Sequence, residues 1–142
     1  MIRPATLADV DGLKAAIVAA YAPFAEQGIG LPPVAEGLED DVQNNHVWVA
    51  DDSGIILGGV VLVLKDGHAH LANLAVHPDW AGQGLGRDLI DTVLHAAKAA
   101  GHENIVLTTH VDMAATIAFY AKLGWTELWR EDDKVRMTTS LL

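Results

Sequence analysis

Leu74-Ala75-Val76-His77-Pro78-Asp79-Trp80-Ala81-Gly82-Gln83-Gly84-Leu85-Gly86-Arg87 runs from a strand-like segment through a proline and glycine loop into the start of a helix. From Gly84 onward the apolar residues Leu85, Leu89, Ile90, Val93, Leu94 and Ala97 recur at helical spacing, and Gly101 supplies a C-terminal cap. The first backbone N–H groups of a helix have no intrahelical acceptor, and the positive end of the helix dipole lies beside them. A loop placed there suits a phosphate or pyrophosphate, and small residues let such an anion come close. The same glycines also suit a plain strand-to-helix turn, so the cluster by itself leaves both readings open.

Two familiar phosphate motifs do not fit. Arg87 stands where the third glycine of a Rossmann fingerprint belongs, and the Gly-Lys-Ser/Thr of a P-loop is missing. Both also open a parallel strand-loop-helix unit, whereas the segments before this loop read as an antiparallel meander. Its strands are expected over residues 47–50, 55–64 and 68–76, with turns at Asp51-Asp52-Ser53-Gly54 and Lys65-Asp66-Gly67 and a bulge marked by Gly58-Gly59.

Beyond the loop and its helix, residues 104–109 read as a β-branched strand and 113–123 as a second amphipathic helix stopped by Gly124. Residues 125–130 and 134–142 read as a terminal hairpin. At the other end Met1-Ile2-Arg3-Pro4 suits a short strand, and Thr6 with Asp9 resembles a capping box. The helix that follows is expected to reach about Tyr21, before Pro23, Gly28, Gly30, Pro32 and Pro33 break the regularity. A short acidic helix is expected over residues 34–43, carrying Glu36, Glu39, Asp40 and Asp41 and interrupted by Gly37.

The chain has 142 residues, 51% hydrophobic and 20% charged, which suits one domain over residues 1–142 with one core. Nine Lys and Arg against 19 Asp and Glu give a net charge of -10, the wrong sign for a protein that neutralises nucleic-acid phosphates. With no cysteine there is no disulfide, thiolate ligand or Cys nucleophile. The only serines, Ser53 and Ser140, lie in a turn and in the tail, outside any nucleophile-elbow context. No apolar run is long enough to span a bilayer. Ala20-Tyr21-Ala22 imitates a cleavage site, but Asp9 and Asp11 spoil the basic leader, so a cytoplasmic protein is expected.

The element order, Leu74-Ala75-Val76-His77-Pro78, the loop Gly82 to Arg87, and Ala118-Phe119-Tyr120-Ala121-Lys122-Leu123-Gly124-Trp125 together resemble the GCN5-related N-acetyltransferase (GNAT) family. The opening Ile2-Arg3-Pro4-Ala5-Thr6 and the closing hairpin with Arg136-Met137 fit it too, so the resemblance covers nearly the whole chain. It implies an α/β (α+β) GNAT fold: a mixed, mostly antiparallel sheet of about seven strands flanked by about four helices. It also implies acetyl-CoA as cosubstrate, its pyrophosphate held by backbone N–H groups of Gly82, Gln83, Gly84, Leu85, Gly86 and Arg87. The pantetheine arm would lie along Leu74, Ala75 and Val76 as an added strand. Tyr120 matches the family tyrosine that faces the CoA sulfur and protonates the departing thiolate.

The activity implied is direct transfer of an acetyl group, in a ternary complex, to a primary amine of a small molecule or peptide. The alternatives are an acyl-CoA sensor or interaction domain without turnover, and a nucleotide-binding protein that uses the loop for another phosphate. Three positions depart from the family. Ala81 stands where Arg or Gln often opens the phosphate loop, Met113 and Thr116 stand where an Asn is common, and Ala72 and Asn73 stand where a carboxylate base is common. The candidates to take the amine proton are then His68, His70, His110 and Asp112, with His68 read as solvated. Glu26, Glu36 and Glu39 border the segment that shapes the acceptor pocket and can attract a cationic amine, although a solvated helix face explains them as well. His68 and His70 lack the further ligands a zinc ion needs, so no metal is expected. The tryptophans Trp48, Trp80, Trp125 and Trp129 read as core or interface aromatics, with Trp80 beside the phosphate loop. A homodimer is a reasonable default.

Overall fold

The structure, a computed structural model, describes residues 1–28 and 36–142. Among these residues seven strands form one sheet in the order β1-β2-β3-β4-β5-β7-β6. They are β1 Ile2–Pro4, β2 His46–Asp52, β3 Ile55–Lys65, β4 His68–Val76, β5 Asn104–His110, β6 Thr126–Glu131 and β7 Lys134–Ser140. Among the described residues four α-helices flank it: α1 Val10–Glu26, α2 Leu38–Asn44, α3 Leu85–Ala99 and α4 Ala114–Lys122. All neighbouring strands are antiparallel except β4 and β5, which are parallel because α3 carries the chain back between them. This is the mixed, mostly antiparallel sheet with four helices that the sequence implied.

Local chemistry explains the elements. Ser53-Gly54 and Asp66-Gly67, all at positive φ, make two-residue hairpin loops that join β2 to β3 and β3 to β4. The α3 stripe Leu89, Ile90, Val93 and Ala97 is buried against Leu62, Leu71, Ile105, Leu107 and Met137 on one face of the sheet. Truncating one such leucine to alanine costs about 2–5 kcal/mol. On the opposite face Leu13 and Ile17 of α1 and Leu38 of α2 pack on Val47, Val49, Val61 and Ala75.

The entry to α1 is fastened by charge. A 3-10 turn at Leu7–Asp9 precedes the helix, and the Thr6 N–H donates to the Asp9 carboxylate at 2.8 Å. The Arg3 guanidinium grips both oxygens of Asp9 at 2.8 Å and reaches Asp51 of β2 at 3.1 Å. Arg3 holds the Asp9 carboxyl far below the usual carboxylate range, against the opposing effect of burial.

Three expectations are corrected. The helix α1 does not stop near Tyr21 but runs through Pro23 to Glu26. Proline forfeits one N–H, and near the helix end that loss is small beside the packing of Phe24 on Tyr21, with ring centroids 6.1 Å apart. Gly37 does not interrupt α2; it stands at its N-cap with φ 79°, where a side chain would be strained, and residues 34 and 35 lie outside the described residues, as do Gly30, Pro32 and Pro33. The bulge of β3 falls at Leu57, which has no β2 partner, one residue before the glycine pair.

Those glycines serve close approach instead. A Cβ on Gly58 would strike the Ala75 carbonyl oxygen, and one on Gly59 would sit 2.8 Å from the Trp48 carbonyl oxygen. A further bulge occurs in β4, where Val61 opposes Asn73 and Leu62 opposes Leu71, so Ala72 is extra. No helix among the described residues is long and apolar enough to cross a membrane.

Candidate active site

The bulge at Ala72 turns β4 away from β5. The two strands share a single register pair, His70 with Val106, and part beyond it. Leu74, Ala75 and Val76 still pair with Val60, Gly59 and Gly58 of β3, but among the described residues they have no strand partner on the edge toward β5. A cavity of about 580 Å³ occupies the gap. Its walls are Leu71 to Val76 of β4, Leu107 to Thr109 of β5, the glycine loop and start of α3, the inner side of α4, and the last turns of α1. An extended ligand chain laid along that open edge can exchange hydrogen bonds with β4 as a missing strand would.

At the far end of this edge lies the glycine loop that the sequence offers as a candidate anion site. Gly82 and Gly84 adopt φ values of 79° and 82°, and a Cβ on either would meet nothing within 4 Å, so the space above the loop is open. Helical bonding begins at Asp88, whose N–H donates to the Gly84 carbonyl at 3.1 Å; among the described residues the N–H groups of residues 83–87 have no backbone acceptor. Gly82, Gly84, Leu85, Gly86 and Arg87 border the cavity together with Leu74, Ala75 and Val76. Gln83 does not. Trp80 and Ala81 border it too, as do Met113 and Thr116. The residues present therefore fit an extended thiol cofactor with a diphosphate at one end.

Tyr120 is carried inward by α4, with 4% of its surface exposed, its ring edge-on to Phe119 and Trp125 at centroid distances of 5.4 and 5.3 Å. It borders the cavity, and its hydroxyl makes no hydrogen bond among the described residues. Burial first, and the neighbouring Tyr21 phenol second, push its pKa above the ordinary value of 10.0. Tyr21, on α1, borders the same cavity and is likewise shifted upward by burial. Sequence reading missed Tyr21 because the expected helix ended there; Phe24, one turn further on, was beyond it.

None of the four proposed proton acceptors borders the cavity. His68 is exposed at the start of β4. The ring of His110, the last residue of β5, accepts from the Asp112 N–H at 3.0 Å and lies 3.8 Å from Asp133 of the β6–β7 turn. His70 is half-buried at the last paired position before β4 and β5 separate, and burial, then the charge of Arg136, lower its pKa, so it is neutral at pH 7. Glu26, Glu36 and Glu39 are exposed and stand outside the cavity.

A sheet split at its one parallel junction, with a helix start closing the split and a phenol facing it, makes a cleft that suits an extended ligand with an anionic end. Residues 15–125 match the acetyltransferase (GNAT) family, and the chain belongs to that family. It is 32% identical over 130 residues to an amino-acid acetyltransferase of Vibrio vulnificus, a match that covers 89% of this chain and 27% of that protein. The chain thus spans about a quarter of the length of that relative. It is 34% identical over 91 residues to N-alpha-acetyltransferase 30 of Schizosaccharomyces pombe, covering 56% of this chain and 60% of the other. In structure it superposes on the PaiA N-acetyltransferase of Thermoplasma acidophilum, solved with coenzyme A, at a TM-score of 0.85 and 18% identity, over 99% of this chain and 98% of that one. The ribosomal-protein-S18-alanine N-acetyltransferase of Escherichia coli gives a TM-score of 0.76 at 20% identity, over 99% and 93%.

Proposed function

We propose that this chain is an acetyl-CoA-dependent N-acetyltransferase that moves an acetyl group to a primary amine of a small molecule or peptide, directly and in a ternary complex. The observation that carries this reading is the parting of β4 and β5 after one register pair, with the start of α3 at the end of the gap. Acetyl-CoA, when bound, supplies an acetyl group on a thioester whose C–S bond breaks as the new C–N bond forms.

The chain's own residues do the rest. Backbone N–H groups of residues 83–87 hold the diphosphate, and the free edge at Leu74, Ala75 and Val76 holds the arm and directs backbone donors toward the developing oxyanion. The Tyr120 hydroxyl gives its proton to the sulfur that leaves with the electron pair, and solvent in the cavity returns one. The amine nitrogen surrenders one proton to water as it becomes an amide, so the products are an N-acetyl compound and a free thiol. No side-chain nucleophile is needed, in keeping with a chain that has no cysteine.

The test is release of free thiol from acetyl-CoA in the presence of a panel of amines, together with calorimetric binding of coenzyme A. Thiol release that depends on an amine supports the reading. Binding of coenzyme A without turnover on any amine leaves the sensor alternative in its place. Failure of coenzyme A to bind, or its displacement by ATP or NAD, refutes both.

A further inference from the structure

The chain carries a net charge of -10, yet among the described residues no aspartate or glutamate borders the cavity; the charged residues that do are Arg87 and Lys122. A third cation, Arg136, is hydrogen-bonded to a lining residue, Thr108. Leu107 and Met137 point into the core under α3, and in a strand the next residue points to the other face, so Thr108 and Arg136, register partners on β5 and β7, face the side that α1 occupies.

Thr108 borders the cavity, and Arg136 is fixed against it. Its Nε and Nη2 both donate to the Thr108 hydroxyl oxygen, at 3.2 and 3.1 Å, and its guanidinium lies 5.5 Å over the ring of Trp129 on β6. Arg3 is paired with Asp9 and Asp51, and Arg130 with Glu127, but among the described residues Arg136 is half-buried with no carboxylate in reach. Its remaining N–H donors are oriented without an anion. Its charge is felt locally, since it helps to keep the half-buried His70 neutral.

A guanidinium that is held rigid, partly desolvated and unpaired is prepared for a bidentate anion. The phosphate loop lies at the start of α3, on the other face, so that anion belongs to the second substrate. We propose that Arg136 binds a carboxylate of the acceptor, so that the amine acetylated belongs to a carboxylate-bearing compound such as a free amino acid rather than to a polyamine. This rests on the acetyltransferase reading above and names its substrate class.

The test compares free amino acids, their C-terminal amides and spermidine as acceptors, by thiol release, in wild type, Arg136→Gln and Arg136→Lys. In wild type the best amino acid should exceed its own amide in kcat/KM by about tenfold or more. In Arg136→Gln that ratio should fall to within about twofold, mainly through KM, with coenzyme A affinity unchanged, and Arg136→Lys should keep part of it. Amides or spermidine used as well as acids by wild type, or discrimination intact in Arg136→Gln, would overturn the proposal.

If no amine releases thiol, the acetyl-transfer reading fails separately, and the anchor is judged by binding. N-acetyl amino acids should then raise the melting temperature of the coenzyme A complex more than N-acetyl amino-acid amides do, in wild type but not in Arg136→Gln. Equal shifts would sink it.

Discussion

Replacing Tyr120 with phenylalanine isolates one hydroxyl. The ring stays, so the edge-on contacts with Phe119 and Trp125 stay, and among the described residues the hydroxyl has no hydrogen bond to lose. The melting temperature should therefore remain within about 2 °C of wild type. Catalysis should respond very differently. A positioned general acid contributes about 10²- to 10⁴-fold, and solvent that enters the cavity can replace part of that, so kcat should fall at least about tenfold, equivalent to ~1.4 kcal/mol.

Because burial and the Tyr21 phenol both raise the Tyr120 pKa above 10.0, the phenol is protonated across pH 6 to 9, and its own titration adds no limb to the rate profile there. The assay is thiol release at saturating acetyl-CoA over that pH range, with coenzyme A affinity measured by calorimetry. Wild-type turnover in Tyr120→Phe would remove the hydroxyl from the mechanism. A loss of coenzyme A binding alongside the loss of kcat would instead make Tyr120 a packing residue of the cofactor cleft.

Gly58→Ala should push β3 off β4 beside the Ala75 carbonyl, where β4 presents its free edge; coenzyme A affinity should weaken about tenfold and the melting temperature fall by about 5 °C, both read on the purified variant. Ala81→Arg should place a cation beside the open start of α3 and tighten coenzyme A binding about fivefold at low salt, an effect that calorimetry should see fade as salt is raised. Asp9→Asn should lower the melting temperature by about 5 °C at pH 7 through loss of the Arg3 grip. The folded-state pKa of Asp9 lies below its unfolded value, so the stability it confers is present above about pH 4 and is lost as pH falls toward the folded value. The gap between wild type and Asp9→Asn should accordingly narrow in melts below pH 4, and a gap that widened there would contradict the ion pair.

Much of this architecture is legible in the sequence because its signals are local. The α3 stripe and the turns at Ser53-Gly54 and Asp66-Gly67 place the meander and its helix to within a residue or two. The glycine loop is legible for the same reason, since backbone donors at a helix start need no partner elsewhere. What sequence misplaced depends on side-chain packing and on register between strands. Pro23 reads as a stop, but the contact of Tyr21 with Phe24 carries α1 past it and into the cavity wall. The Ala72 bulge carries no turn residue and shows only as a skipped partner in the register with β3. Arg136 sat inside a quoted motif, yet its neighbours Thr108 and Trp129 come from other strands and could not be assembled from spacing.

The same cross-strand arrangement bears on the proton that the amine must lose. The family often supplies a carboxylate where this chain has Ala72 and Asn73, and a carboxylate stabilises an ammonium as well as accepting from it. Here the cavity is bordered by neutral β4 residues, by two phenols whose raised pKa values keep them uncharged, and by Arg87 and Lys122, with Arg136 bonded to the lining residue Thr108. A positive potential and partial desolvation both favour the free amine over the ammonium, so the environment itself does part of what a base would do. The expected consequence is an apparent amine pKa in the kcat/KM profile that lies below the value of the free acceptor in water. Asn73→Asp, which brings in negative charge, should raise that apparent value. If the profile instead followed the free acceptor's own titration and Asn73→Asp left it in place, electrostatic assistance of deprotonation would be excluded, and a side chain or ordered water chain acting as base would have to be sought.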